Sequence, residues 1–275
     1  MSGKLYVVGT PIGNLSDMSP RAIDTLLGVD FIAAEDTRVS LKLLNHFNIK
    51  KELVSYFEHN KNEKGEYIIN RILKGETAAI VTDAGMPAIS DPGEDLVKLA
   101  IENDIAVESV PGPTAFATAL AISGMSSRRF CFEGFLPQDK NERKRLLEEL
   151  QNERRTMIFY EAPHKLKATL KDFLKTFGEE REAAVVKEIT KLFERVQKFT
   201  LGEAVTYFEN NSPLGEFVII IAGSKREKTE NEFSQNDAVN LAKRFIKEGM
   251  SVSTAAKKAA EETGIRKNEI YKNLI

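Results

Sequence analysis

Residues 78–93 read AAIVTDAGMPAISDPG, a short apolar run that leads into a long loop rich in glycine and proline. The run Ala78–Thr82 has the length and composition of a buried β-strand, and Asp83 follows it directly. In open α/β sheets, ligands bind beyond the carboxyl ends of the strands. Because so long a loop is rarely a plain connection, we interpret residues 82–93 as a ligand-binding loop that leads into a helix capped near Asp91.

Short apolar runs of this kind alternate along the chain with amphipathic stretches, a pattern typical of α/β units with a mostly parallel sheet. In the first part of the chain the predicted strands are Leu5–Gly9, Phe31–Ala34, Leu53–Ser55, Ala78–Thr82 and Ala106–Val110. The predicted helices between them are Pro20–Leu27, Val39–Phe47, Glu63–Leu73 and Gly93–Asn103. Together these elements predict an N-terminal α/β domain over residues 1–113.

A second α/β domain is predicted over residues 114–224, and it begins with an Ala-rich helix after the break at Pro111–Pro113. Its predicted strands are Phe130–Phe135, Thr156–Tyr160, Ala183–Lys187, Arg195–Thr200 and Glu216–Ala222. Its predicted helices are Glu142–Gln151, Lys165–Lys175 and Leu201–Asn210. Because the strands outnumber the helices and two neighbouring strands can pair antiparallel, we expect a mixed sheet.

Residues 225–275 are predicted to form a linker, Lys225–Phe233, and a small C-terminal domain. The predicted helices of that domain are Asp237–Glu248, Ser253–Thr263 and Arg266–Leu274, an order that resembles a helix-turn-helix module. The tail has 11 basic and 8 acidic residues, a net charge of +3, whereas the rest of the chain carries −5. This difference indicates a polyanionic partner for the tail, and a packing or dimerisation domain is the alternative.

The composition excludes several classes of protein. The 275-residue chain has 39 Lys+Arg and 41 Asp+Glu, which argues against a wholly basic nucleic-acid coat protein and against an acidic disordered chain. Its one cysteine, Cys131, excludes an internal disulfide and is interpreted as a buried apolar residue. The three histidines are scattered, so we expect no metal site. The apolar runs are too short for a membrane helix or a signal peptide, and we expect a cytoplasmic protein.

Two further loops follow predicted strands of the first domain. Gly9–Leu15 contains two glycines that allow a sharp turn with exposed amides, but it lacks the G-x-G-x-x-G and P-loop patterns, so a plain turn is an alternative. Glu35–Arg38 has two interpretations. It is either a solvated helix start capped by Asp36 or Thr37, or a polar pocket in which Arg38 contacts a phosphate or carboxylate.

Three polar segments follow strands of the second domain and are expected to converge at one edge of its sheet, namely Gly134–Pro137, Tyr160–Lys165 and Lys187–Lys191. His164 is close in sequence to Glu161 and Lys165, which makes it a candidate catalytic residue. A residue in the first turn of a helix, without a catalytic role, is the alternative interpretation of His164.

Eight segments occur in order over residues 4–223, namely VGTPIGNL, EDTR, TDAGMPAISDPG, VPGPTA, GFLP, YEAPHK, KEITK and GEFVIIIAG. This set resembles the tetrapyrrole-methylase-like (class III) S-adenosylmethionine-dependent methyltransferases. Within them it is most similar to the group that methylates the ribose 2′-oxygen of a cytidine in the decoding centre of 16S ribosomal RNA, and the tail resembles that group's helix-turn-helix domain. Met86 stands where the group usually has threonine, and Lys165 and Lys187 stand where it has arginine, which keeps the charge but loses the bidentate fork.

The resemblance implies two α/β domains with S-adenosylmethionine in the cleft between them, a homodimer, and 16S rRNA within the 30S subunit as the substrate. It implies methyl transfer without a metal, in which the protein aligns the nucleophile, the methyl carbon and the sulfur. The implied cofactor-binding residues are Pro11, Gly13, Asp83, Ala84, Gly85, Pro87, Ser90, Pro113, Thr114, Ala115, Tyr160, Glu161, Pro163 and Glu216. The candidate catalytic residues are Glu35, Asp36, Arg38, Glu161, His164, Lys187 and Glu188. We expect an acidic residue among them to accept or orient the 2′-hydroxyl proton, and Arg38 and the lysines to contact RNA phosphates.

Two other functions are compatible with parts of the sequence. A precorrin C-methyltransferase of tetrapyrrole synthesis would have the same fold, but it leaves the basic tail unexplained. A ligand-sensing regulator would read nucleic acid through the tail, yet the segment Arg266–Glu269 has few of the basic side chains that recognition helices present. The EDTR and YEAPHK segments favour the RNA methyltransferase.

Overall fold

The structure is a computed structural model and describes residues 3–225 and 234–274. The chain divides into two compact units, one that ends at Ser224 and one that begins at Lys225. The first unit contains two five-stranded sheets, and the second is helical. The predicted linker lies outside the described residues, except for Lys225.

The first sheet consists of β1 (Lys4–Val8), β2 (Phe31–Ala34), β3 (Glu52–Ser55), β4 (Ala78–Val81) and β5 (Ala106–Val110). The helices between these strands are α1 (Pro20–Gly28), α2 (Thr37–His46), α3 (Lys61–Leu73) and α4 (Gly93–Glu102). All five strands are parallel, in the order β3-β2-β4-β1-β5. Strands β2 and β4 are buried along their whole length because helices cover both faces of the sheet.

This strand order creates a switch point between β1 and β4. The chain leaves β1 towards β2 on one side, and it leaves β4 towards β5 on the other. A crevice forms where two adjacent connections run in opposite directions, and such crevices are the usual ligand sites of open α/β sheets. The loops that follow Val8 and Val81 border this crevice.

The second sheet consists of β6 (Phe130–Phe135), β7 (Thr156–Glu161), β8 (Glu182–Lys187), β9 (Arg195–Thr200) and β10 (Phe217–Ile221). The strands lie in the order β6-β7-β10-β8-β9. Only β6 and β7 are parallel, and the other pairs are antiparallel, so the sheet is mixed. The helices of this half of the unit are α5 (Ala115–Ser123), α6 (Lys140–Leu150), α7 (Pro163–Phe177) and α8 (Leu201–Asn210).

The second sheet has an apolar cluster on each face. Side chains of α6, α7 and α8 pack on one face around Phe159 and Phe173, which are fully buried. On the other face, Leu120 of α5 packs against β7, β8 and β10. Ile12, from the loop after β1, belongs to this second cluster together with Ile189. The two α/β halves of the first unit are therefore joined by a shared apolar contact.

The α/β fold class with two sheets and a C-terminal helical region is confirmed, whereas the division into domains at residues 113 and 114 stays a prediction. Helix α2 begins two residues earlier than predicted because the Asp36 side chain accepts a hydrogen bond from the backbone N–H of Arg38. Helix α7 likewise begins at Pro163, a residue suited to the first turn. A short 3₁₀ helix at Leu15–Asp17 was not predicted, because three residues carry no periodicity.

The C-terminal unit contains α9 (Gln235–Lys247), α10 (Val252–Thr263) and α11 (Lys267–Lys272). Its core is built mainly from small side chains, namely Ala238, Ala242, Ala255, Ala256 and Ala259, with Phe245 and Ile270. Helix α9 begins with a capping box in which Ser234 and Asp237 exchange hydrogen bonds. Helix α10 ends at Gly264 in the left-handed conformation.

Candidate functional site

A cavity of about 590 Å³ lies where the carboxyl ends of strands from both sheets face each other. This volume is within the range of pockets that bind small molecules, about 300–1,000 Å³. One wall comes from the loops that border the crevice between β1 and β4, and the opposite wall comes from the ends of β6, β7, β8 and β10. Thr114 and Ala115, at the start of α5, lie between the two walls.

The loops after β1 and β4 are tied together by Thr10, which is completely buried. Its backbone N–H donates to the carbonyl of Gly85 at 2.9 Å, and the N–H of Gly85 donates back at 3.2 Å. The Thr10 hydroxyl also donates to the carbonyl of Thr82 at 3.1 Å. The two loops therefore form one hydrogen-bonded wall of the cavity.

The loops after β1 and β5 touch through their backbones at Gly9 and Gly112. A Cβ atom on Gly9 would lie 2.6 Å from both the Cα and the N of Gly112. A Cβ atom on Gly112 would lie 2.8 Å from the Cα of Gly9. Only glycine fits at either position, since contacts this short do not occur between real Cβ atoms and backbone.

Three carboxylates lie at the wall formed by the first sheet, and two of them, Glu35 and Asp91, line the cavity. Glu35 accepts a hydrogen bond from the Thr82 hydroxyl at 2.6 Å, and Asp83 accepts one from the backbone N–H of Asp36 at 3.1 Å. Burial raises the pKa of Asp83 and of Asp91, and the nearby charge of Glu35 raises both further. Backbone N–H groups donate to Asp83 and Asp91, but within residues 3–225 and 234–274 no salt bridge neutralises either of them or Glu35, so this group of carboxylates favours a cationic ligand.

The opposite wall contains a fully engaged carboxylate and two aromatic rings. Glu161 is buried, and its oxygens accept hydrogen bonds from the backbone N–H of Ala162 and from the Thr169 hydroxyl. The Tyr160 hydroxyl accepts one from the backbone N–H of Phe116 at 3.1 Å. Phe135 is 58% exposed at the cavity, with its ring centroid 5.5 Å from that of Tyr160.

Two isoleucines line the cavity from opposite walls, each between residues in the left-handed conformation. Ile89 lies between Ala88 and Ser90, with φ of 65° and 64°, and Ile189 lies between Glu188 and Thr190, with φ of 52° and 66°. Each non-glycine residue in this conformation costs about 1 kcal/mol or more. Backbone strain of this kind concentrates at functional sites, which supports the assignment of the cavity as the site.

The structure brings eleven of the predicted site residues together. Those that line the cavity are Glu35, Ala84, Gly85, Ser90, Thr114, Ala115, Tyr160, Glu161, Pro163, His164 and Glu216. Those that do not line it are Pro11, Gly13, Asp36, Arg38, Asp83, Pro87, Pro113, Lys187 and Glu188. Most of the second set lie in the loops next to the cavity, whereas Arg38 belongs to α2 and Lys187 is the last residue of β8.

Several residues of that second set have clear structural contacts. Arg38 is exposed and donates to the Asp36 carboxylate at 2.6 and 3.0 Å, which holds the pKa of Asp36 at about 2. Glu188 accepts from the backbone N–H of Glu216 and from the Lys191 ammonium, and these contacts lower the pKa of Glu188. In the segment Glu35–Arg38, Asp36 is thus the helix cap and Glu35 is the pocket residue.

Sequence reasoning missed about half of the lining. The residues it did not assign are Ile12, Thr82, Met86, Ile89, Asp91, Phe135, Ala162, Ile189, Phe217 and Val218. Most of them lie inside the motifs already quoted, and eight of the ten are apolar, whereas the assigned residues are mainly polar, glycine or proline. Their position in loops after strands is the signal that could have identified them.

The sequence also predicted no metal site, no membrane helix and a buried Cys131. Among residues 3–225 and 234–274, no three His, Cys, Asp or Glu side chains are grouped so that they could hold a metal ion. Within those same ranges, no helix has the length and apolar character needed to cross a membrane. Cys131 is half-buried rather than buried, and desolvation raises its pKa to about 12.

Comparisons with known proteins agree on one family. The family described as tetrapyrrole (corrin/porphyrin) methylases matches residues 4–205. A ribosomal RNA small subunit methyltransferase I from Halalkalibacterium halodurans is 46% identical over 271 residues, which cover 98% of this chain and 93% of that protein. The protein of the same name from Synechocystis sp. is 44% identical over 269 residues, with coverages of 98% and 96%. The solved structure of cobalt precorrin-4 methyltransferase has a TM-score of 0.59 at 19% identity, over 80% of this chain and 94% of that one, which shows the fold alone.

Proposed function

Because the chain belongs to the tetrapyrrole methylase family, within its ribosomal RNA small subunit methyltransferase I group, we propose that it transfers a methyl group from S-adenosylmethionine to 16S rRNA. The proposed acceptor is the ribose 2′-oxygen of the cytidine 1402 position in the decoding centre, within the 30S subunit. Such a reaction takes place in the cytoplasm. The cavity carries the proposal, since it combines several carboxylates with an exposed aromatic ring at its edge.

The lining of the cavity fits S-adenosylmethionine. This molecule carries positive charge on its sulfonium and its amino group, and Glu35, Asp91, Glu161 and Glu216 line the cavity. Apolar side chains, among them Ile12 and Val218, offer contacts for the adenine ring. Gly85 has a φ angle of +92°, which favours glycine, and a Cβ atom there would lie only 3.3 Å from Ile12. Because glycine has no side chain, the backbone itself forms the cavity wall at this point.

The residues of the cavity also suggest how the hydroxyl is activated. When bound, S-adenosylmethionine supplies a methyl carbon activated by a positively charged sulfur. A ribose hydroxyl is a weak nucleophile, so a nearby acceptor for its proton speeds the reaction. Glu35 suits this role because one carboxylate oxygen accepts from Thr82, whereas no described residue donates to the other oxygen, Oε1. Glu161, with both oxygens engaged, is better suited to hold the wall in place.

Phe135 is the proposed contact for the target nucleobase. Sequence-specific RNA recognition usually stacks an unpaired base on an aromatic ring. The Phe135 ring lies at the cavity edge and is more than half exposed, so a base can reach one of its faces while the ribose enters the cavity. His164 is exposed at the start of α7 on the same wall and is a second candidate contact for the nucleotide.

A second copy of the chain is the proposed protein partner. Leu192 and Phe193 are 92% and 70% exposed, and Leu214 is 74% exposed. The loops that carry them are adjacent, because Lys191 pairs with Glu216 at 2.9 Å. Exposed apolar residues grouped in this way are typical of an interface, which supports a homodimer.

We expect the C-terminal unit to strengthen RNA binding. Removal of residues 225–275 takes away a net charge of +3, so the affinity for 16S rRNA should fall and depend less steeply on salt. Binding of S-adenosylmethionine should remain, because the cavity lies wholly within residues 12–218. Filter binding at several salt concentrations and calorimetry with S-adenosylmethionine measure the two effects. Equal RNA affinity in the shortened chain would show that the tail serves packing or dimerisation instead.

The central test is the choice of methyl acceptor. Purified protein would be incubated with labelled S-adenosylmethionine and one of three acceptors, namely 30S subunits, free 16S rRNA or a precorrin. We expect label in the rRNA, and nucleoside mass spectrometry should identify it as 2′-O-methylcytidine. Label in the precorrin alone would refute the proposal, and binding of S-adenosylmethionine without transfer to any acceptor would favour a ligand sensor.

A further inference from the structure

A second cavity, about 690 Å³ in volume, forms a groove between α6 and α7 on the outer side of the second sheet. Five basic and two acidic side chains line it. The acidic residues are already paired, since Asp172 accepts from Arg143 at 2.7 Å and Glu148 lies 3.7 Å from Lys144. Lys140, Lys165 and Lys175 also line the groove, and the described residues offer them no ion pair. The groove therefore carries uncompensated positive charge.

The charge is concentrated because each helix turns one face to the groove. Lys140, Arg143 and Lys144 recur at the spacing of one side of α6, and Lys165 and Lys175 lie on one side of α7. Leu136 and Leu147 form an apolar floor beneath them. Lysines placed along both rims of a groove with an apolar floor match a strand of phosphates with its sugars turned inward.

The groove begins at the wall of the first cavity. Phe135 lines the cavity while the next residue, Leu136, lines the groove, and the same step occurs between His164 and Lys165. Thr169 lines the groove and donates its hydroxyl hydrogen to Glu161 of the cavity. The groove is thus next to the cavity, across the wall formed by Phe135 and His164, so a chain that places one ribose in the cavity has the groove beside it.

We propose that the α6–α7 groove binds the phosphodiester backbone of the substrate RNA next to the methylated nucleotide, with Lys140 and Lys175 as phosphate contacts. This inference rests on the proposed function, because it assigns a surface to the same RNA substrate. Charge complementarity selects RNA over an apolar or cationic partner, and the position of the groove beside the cavity sets where the strand enters.

The test replaces both lysines, in the double variant Lys140→Ala/Lys175→Ala. Binding to 16S rRNA and the steady-state rate of methyl transfer to 30S subunits would be measured at salt concentrations from about 50 to about 300 mM KCl. Over this range the affinity of a protein that contacts phosphates falls measurably with salt. We expect the KM for 30S subunits to rise about 10-fold, and the slope of log affinity against log salt to fall by about 1.4, or 0.7 for each lost single-strand contact. The kcat and the affinity for S-adenosylmethionine should not change, since neither lysine lines the cavity.

The matched control is Lys74→Ala/Lys98→Ala, which removes the same charge from exposed positions on α4 and at the end of α3. Both variants lose the same net charge, so a difference between them reports on the groove. The RNA affinity of the control should stay within about twofold of the unchanged protein, because neither lysine lines the groove and exposed charges away from the RNA are screened by salt. Equal losses in the two variants, or an unchanged salt slope in the groove variant, would overturn the groove assignment. Absence of methyl transfer by the unchanged protein would instead refute the proposed function, so the two failures can be told apart.

Discussion

Replacement of Glu35 with glutamine is expected to slow methyl transfer about 100- to 1,000-fold, because a positioned proton acceptor contributes an effect of this size. Glutamine has the same shape, and its carbonyl can still accept from the Thr82 hydroxyl, so the cavity wall should keep its structure. The neutral side chain no longer takes up a proton. The rate would be measured in a single turnover on 30S subunits, with calorimetry to follow the affinity for S-adenosylmethionine.

Asp36→Asn is the comparison that separates the two neighbouring carboxyl groups. Asp36 caps α2 and pairs with Arg38 outside the cavity, so its loss should cost only a few-fold in rate. A larger loss of rate in Asp36→Asn than in Glu35→Gln would show that the acceptor role is assigned to the wrong residue.

Replacement of Gly112 with alanine is expected to reduce the free energy of unfolding by about 3 kcal/mol, the upper part of the range for overpacking. The added Cβ would lie 2.8 Å from the backbone of Gly9, and a backbone atom cannot move aside as a flexible side chain does. The loops after β1 and β5 must then separate, which also shifts Thr114 at the cavity. Urea unfolding followed by circular dichroism measures the loss, and S-adenosylmethionine binding should weaken with it.

Gly28→Ala is the matched control for this substitution. Gly28 ends α1, and a Cβ atom there would meet nothing within 4 Å. Alanine is a better helix former than glycine, so this variant should be as stable as the unchanged protein or slightly more so. If Gly112→Ala unfolds at the same urea concentration as Gly28→Ala, the backbone contact between the two loops is not a constraint on the fold.

Much of the fold follows from local signals that the sequence contains. Strands β2 and β4 are apolar along their whole length, as strands between two helical layers must be, and Pro20 and Pro163 begin helices because their rings suit the first turn. The boundaries that differ from prediction, as at α2, depend on a cap whose geometry the sequence does not specify.

The site was predicted less completely because it depends on contacts between distant segments. The motif order indicated which loops are important, but not that Thr10 pairs with Gly85. Strand alternation explains why one predicted site residue, Lys187, does not line the cavity. Lys187 shares the sheet face of Val185, which packs in the cluster with α7 and α8, rather than the face of Val186. Its side chain is therefore directed away from the face that borders α5.

Arg143, Thr169 and Glu161 form a continuous hydrogen-bonded series, since Arg143 donates to the Thr169 hydroxyl and that hydroxyl donates to Glu161. One end of the series lies in the groove and the other in the cavity. A groove ligand that displaced Arg143 would remove the donor to Thr169, the side chain that donates to Glu161. Thermodynamic linkage would make such coupling reciprocal. Any factor by which the groove ligand changes the affinity for the cavity ligand is also the factor by which the cavity ligand changes the affinity for the groove ligand.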